Sequence, residues 1–130
     1  MRVMDTPSSP AVERRVRRSD DLSTALRYLL ATQRARAGLS HLCLCNEEGF
    51  LVAWDGDRAD CEELAAYAPF VAQGRGMSVD PRRLADVSVH RVVVGADDLL
   101  LVLRGAPPRD QVAAMLQASI EGVARILHRA

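Results

Sequence analysis

Three side chains that bind metals or act as nucleophiles alternate along one short segment: His41, Cys43 and Cys45. In an extended strand they leave the same face. With Cys61 as a fourth ligand they are the candidates for a zinc site, and each thiol could pair with His41, His90 or His128 as a nucleophile. The spacing argues against both uses. Structural zinc sites place paired cysteines about two to four residues apart on a turn, whereas i and i+2 side chains on a strand stand roughly 6.5–7 Å apart. Buried cysteine is common as plain core, and no nucleophile elbow or Gly-rich oxyanion turn accompanies these thiols. Glu47, Glu48, Asp55, Asp57, Glu62 and Glu63 read as turn and helix-surface charges. The residues therefore assign no catalytic group, no cofactor and no metal. The alternative reading is a small metal- or thiol-dependent protein using His41, Cys43 and Cys45.

Composition narrows the classes further. All 17 basic residues are Arg, balanced by 17 acidic ones, for a net charge of zero. Without Lys there is no Walker-type phosphate loop, no Schiff-base enzyme and no Ser–Lys pair. The balanced charge argues against a nucleic-acid partner. Arg14, Arg15, Arg17 and Arg18 form a basic cluster, but no aromatic is interleaved there to stack on bases. The opening residues MRVMDTPSSP lack the apolar core of a signal peptide, no apolar run is long enough to span a membrane, and the three cysteines are an odd number. A cytoplasmic protein with free thiols and no membrane partner is expected.

A chain of 130 residues, 48% of them hydrophobic, makes one domain with a proper core. Residues 1–18, with Pro7, Pro10 and the run Glu13–Arg18, read as a flexible Arg-rich arm. The domain proper takes residues 19–130. Ser19 is the expected N-cap of a first helix carrying Leu22, Leu26, Leu29 and Leu30, which ends at Gly38 as the C′ residue. Residues 39–45 are apolar at nearly every position and read as a strand buried on both faces. Gly49 closes a hairpin to a return strand over Phe50–Trp54. A second helix, capped by Asp60, runs to about Gln73 and is kinked by Pro69; its core stripe is Cys61, Leu64, Ala65, Ala68, Val71 and Ala72. Strands around Val87–Val94 and Leu99–Leu103 flank a turn at Gly95–Asp98. A last helix then carries Val112, Met115, Leu116, Ile120, Val123, Ile126 and Leu127. The order is α-β-β-α-(β)-β-β-α.

The chain has five aromatic residues, and two of them, Tyr67 and Phe70, fall off the core stripe of the second helix. Aromatics are enriched where proteins meet. A second apolar face on this helix points to cover by another subunit.

Three features together resemble the Roadblock/dynein light chain family: Gly38-Leu39 entering the first strand, the acidic-Gly turn Asn46-Glu47-Glu48-Gly49-Phe50, and Glu62-Glu63-Leu64-Ala65-Ala66 in the central helix. The element order matches as well, over about residues 19–130. The resemblance implies an α/β (α+β) profilin-like αββαβββα sandwich. Its antiparallel sheet would have five strands, with helices one and three on one face and helix two on the other. The third strand would be short or irregular, since residues 75–86 hold Arg75, Asp80, Pro81, Arg82 and Arg83. The resemblance further implies a non-enzymatic homodimeric adaptor for a small Ras-like GTPase or its regulator, or for other Roadblock-domain proteins, in a bacterial polarity or motility complex. Family members dimerise through helix two and the neighbouring edge strand, which carries over to Glu63, Tyr67, Phe70, Gly74, Leu84 and Val87 as interaction residues.

Overall fold

The computed structural model describes residues 10–74 and 81–128, with side chains described for residues 20–74 and 82–128. The first helix, α1, spans Pro10–Ala37. It begins nine residues before the expected cap, so Ser19 lies inside it. Proline is well suited to the first helical position, and Ala11–Arg18 contains no breaker and several good helix formers. Half of the segment expected as an arm therefore has a helical backbone, and residues 1–9 lie outside the described ones. The other end is as expected: Gly38 takes φ +68°, and Gly38 N–H and Leu39 N–H donate to the carbonyls of Ala35 and Arg34. These are the two bonds that close a helix through a left-handed glycine.

Strands β1 (His41–Asn46) and β2 (Leu51–Asp55) form the expected hairpin. β2 starts one residue later than expected, leaving Phe50 in the turn and 65% exposed. Between Leu44 and Cys45 the register slips, so that β2 carries one extra residue opposite β1. Helix α2 (Arg58–Ala72) is capped by Asp57, whose carboxylate accepts from Asp60 N–H at 3.0 Å. Asp60, expected as the cap, stands instead inside the first turn. The helix continues through Pro69 to Ala72.

After α2, Pro81–Leu84 forms a 3₁₀ turn, followed by β3 (Val87–Val94), β4 (Asp97–Arg104) and α3 (Arg109–His128). The sheet among the described residues has four antiparallel strands in the order β2-β1-β4-β3. The extra strand expected between α2 and β3 is replaced over Pro81–Leu84 by the 3₁₀ turn, while residues 75–80 lie outside the described ones. Pro81 cannot donate to a ladder, and Pro-Arg-Arg-Leu has no apolar alternation for a half-buried strand.

Two apolar layers sandwich the sheet. On one face Leu26 and Leu30 of α1 and Met115 and Val123 of α3 pack on Leu42, Leu44, Leu101 and Leu103. On the other, Cys61, Leu64, Ala65 and Ala68 of α2 pack on Cys43, Cys45, Leu100 and Val102. Period-two alternation on β1 and β4 thus feeds both layers, which is why these central strands read as unbroken apolar runs. Full burial of each leucine contributes about 1.5–3 kcal/mol. Val71 and Ala72, expected in the α2 stripe, are half-buried and exposed, because the last turn of the helix carries past the apolar layer.

Candidate interaction surface at helix α2 and the β3 edge

β3 is the outer strand of the sheet and pairs with β4 alone among the described residues. About half the peptide groups of such a strand point away from its one neighbour, ready to pair with another chain. Its central side chains divide cleanly: Val92 is buried toward the α1/α3 layer, whereas Val93 is 61% exposed.

Helix α2 flanks this edge, and Val87 and Val89 of β3 pack into the α2 layer. Tyr67 Oη donates to Glu63 Oε1 at 3.2 Å, and Arg83 Nη1 donates to the same oxygen at 2.9 Å. Contact with Tyr67, reinforced by the Glu63 carboxylate, raises the pKa of Arg83 above its ordinary value. Arg104 Nη2 donates to Arg83 O at 3.2 Å and ties the 3₁₀ turn to the end of β4. Phe70 is 40% exposed one turn further along α2. Gly74 ends the helix at φ +66°, its N–H donating to Val71 O.

Of the six residues expected here, Glu63 and Tyr67 are in direct contact, and Val87 joins the apolar layer below them. Phe70 and Gly74 follow along the same helix, and half-buried Leu84 ends the 3₁₀ turn. Arg83 was missed as the residue that joins α2 to the strand side. Its signal was a basic side chain in a segment read only as an obstacle to a strand.

The thiol and imidazole groups do not gather into a reactive centre. Cys43, Cys45 and Cys61 are fully buried among Leu64, Ala65, Ala68, Leu100 and Val102. His41 is engaged at both ring nitrogens, Nε2 with Asp60 Oδ2 at 3.0 Å and Nδ1 with Ser40 Oγ at 2.8 Å. Burial pushes the Cys45 thiol up to about 12. Cys43 is raised as well, first by its hydrogen bond with Cys61 and then by burial. That same bond lowers Cys61, against burial and the neighbouring aspartates. Cys43 and Cys45, held neutral in this way, are poor nucleophiles and poor ligands. Among the described residues, no group of three or more His, Cys, Asp or Glu side chains is placed to hold a metal.

A second cluster marks the opposite edge of the sheet. Trp54 of β2 stands between Arg27 of α1 and Arg58 of α2, their guanidinium carbons 4.7 and 5.0 Å from the ring centroid. Next to it Arg34 forms an ion pair with Asp55 and donates to Leu39 O at 3.1 Å. The two helices on opposite faces are thus clasped around one edge strand. Sequence spacing carried no sign of this, since the partners lie far apart along the chain.

Three helices and an antiparallel sheet, layered with α1 and α3 on one face and α2 on the other, make this a Roadblock-type α/β sandwich. Among solved structures the chain is similar to Myxococcus xanthus MglB, with a TM-score of 0.57 at 14% identity over 82% of this chain and 98% of that one. It is likewise similar to the gliding protein MglB from Thermus thermophilus, with a TM-score of 0.55 at 16% identity over 84% and 93% of the two chains. An MglB in a tetrameric arrangement gives 0.53 at 17% identity, over 83% and 91%. At such identities the likeness establishes the fold. No family model and no curated protein matches the sequence. No helix among the described residues is long and apolar enough to cross a membrane.

Proposed function

We propose that this chain is a cytoplasmic, non-enzymatic adaptor that pairs with a second copy through α2 and β3. In that form it binds a small Ras-like GTPase, or another Roadblock-type protein, in a bacterial polarity or motility complex. The observation that carries the reading is the β3 edge: an eight-residue outer strand with exposed Val93, bordered by α2 with Tyr67 and Phe70. Two such edges related by a two-fold axis join into one continuous antiparallel sheet, with the α2 helices side by side. The fold shared with MglB from two organisms, one of these proteins being named a gliding protein, supports the motility setting, and the tetrameric MglB arrangement supports self-association. Such an adaptor acts by differential affinity, holding the GTPase in one switch conformation, with no side chain of its own performing chemistry.

Light scattering of the unmutated protein at tens of micromolar tests the pairing. A dimer is expected, and Val93→Lys or Phe70→Ala should shift it toward monomer while the circular dichroism stays unchanged. A monomeric wild-type protein would overturn the reading. Pull-downs with mass spectrometry against the GDP- and GTP-bound forms of candidate GTPases test the second half. Capture that favours one nucleotide state is the expected result.

A further inference from the structure

Alternation along β3 sends Val87, Val89, Arg91 and Val93 to the α2 face, and Ser88, His90, Val92 and Val94 to the α1/α3 face. Gly105 N–H donates to the carbonyl of Asp86, and the two residues stand opposite each other where the β3–β4 register continues. In an antiparallel ladder hydrogen-bonded pairs alternate with non-bonded ones. Ser88, His90, Val92 and Val94 therefore bond inward to β4. Val87, Val89, Arg91 and Val93 hold their peptide groups toward the open edge.

A second copy that adds to this edge about a two-fold axis must pair those outward residues among themselves, and side chains select the register. One centred on Arg91 sets that cation against its own copy, which is destabilising, and leaves Val87 unpaired. Those centred on Val89 or Val92 leave Val93 or Val87 without a partner. The register centred on His90 pairs every outward residue, Val87 with Val93 and Val89 with Arg91. It covers Val93, 61% exposed in the single chain, with an apolar neighbour. We infer that two copies join in this register, which sets the two His90 imidazoles against each other across the axis and makes the pairing loosen in acid. This rests on the pairing proposed above and adds its register and its regulation.

His90 and its copy form a non-hydrogen-bonded pair, the closer kind, with Cα atoms about 4.5 Å apart. Like charges directly opposite each other repel, so the two rings are compatible while neutral. The half-buried ring is neutral in neutral solution, because burial lowers its pKa below the ordinary value. Among the described residues its one polar contact is with Ser88 Oγ, at 3.3 Å from Nε2. On the same face Asp86 lies just before β3 and Asp97 of β4 stands opposite Val94, each roughly 13 Å along the strand from His90. Helix α3, packed over this face, keeps its charged side chains exposed. Across the axis the ring meets Ser88 and Val92 of the second copy beside its own counterpart, and no carboxylate. Each His90 must shed its proton for the copies to meet, so affinity falls as pH drops through the histidine range.

Sedimentation equilibrium of the full chain at about pH 8 and about pH 5.5 reads the pairing. The dissociation constant should rise about tenfold or more into acid. His90→Gln should flatten that profile, with the circular dichroism unchanged throughout. Under mild oxidation His90→Cys should cross-link to its own copy, since the pair lies within disulfide range, whereas Arg91→Cys should not. A dimer whose affinity ignores pH, or whose pH dependence survives His90→Gln, would overturn the inference and leave the pairing standing. So would self-cross-linking of Arg91→Cys in place of His90→Cys. A monomer at about pH 8 would overturn the pairing and the inference together.

Discussion

Gly49, at the tip of the β1–β2 hairpin, rests directly on the backbone of α2 at Ala65. A β-carbon on Gly49 would stand 3.1 Å from the Ala65 carbonyl oxygen, and the glycine itself holds φ +90°. That carbonyl is the one to which Pro69, lacking an N–H, cannot donate in the α-helical pattern. The hairpin glycine thus occupies the place where proline alters the helix, and the close approach lets the hairpin pack flat on α2 without a side chain between them.

Gly49→Ala is therefore expected to destabilise the fold by about 1–3 kcal/mol, through the left-handed backbone and the contact together. Gly95→Ala is the control, since that glycine has φ +60° with nothing within 4 Å of the added carbon. Urea unfolding of the two variants should show the larger drop in midpoint for Gly49, with an unchanged slope.

Asp57 caps α2 through its bond from Asp60 N–H. Asp57→Ala should cost about 1 kcal/mol. Asp57→Asn should keep most of the cap's stabilisation, because the amide oxygen accepts the same bond. Asp60→Ala removes the partner of His41 while sparing the cap, so thermal melts of the three variants should separate the two roles.

The Cys45 thiol has its pKa raised from 9.0 to about 12 in the folded chain. The unfolded chain releases this proton first as pH rises. The group therefore contributes stability that is complete below about pH 9 and declines as pH climbs toward 12. Stability measured by denaturant should fall with pH across that window. Cys45→Val should make the fall shallower, leaving the part due to Cys43.

Trp54 is the single tryptophan of the chain, and it lies between two guanidinium groups. Arg27→Ala and Arg58→Ala should each shift its fluorescence to longer wavelength and each cost about 0.5–1 kcal/mol. Because both cations act on one ring, the double variant should depart from additivity.

The layers of this fold were legible because burial imposes a period. β1 and β4 lie between two layers and read as continuous apolar runs, and α3 shows its stripe at helical spacing. Gly38 announced the end of α1 because only a left-handed residue closes that turn. The boundaries were less legible. Asp57 and Asp60 are both good caps by type, and geometry chose between them; the start of α1 was obscured by a run of arginines whose charge suggested an unfolded arm. On the candidate surface, Tyr67 and Phe70 could be named from helix position, and Glu63 only through the family resemblance. Arg83 could not, since its contact with Glu63 depends on how the chain turns after α2. The clasp on Trp54 joins residues from three elements and leaves no periodic trace.

All three cysteines of the chain lie in the layer beneath α2. The helix proposed to meet partners is therefore also the roof over every thiol. A thiol reagent modifies the protein only in the instants when that roof lifts, so the labelling rate counts those openings. A ligand clamped on α2 slows the count and one bound elsewhere leaves it unaltered, which turns the cysteines into a built-in gauge of where a partner sits.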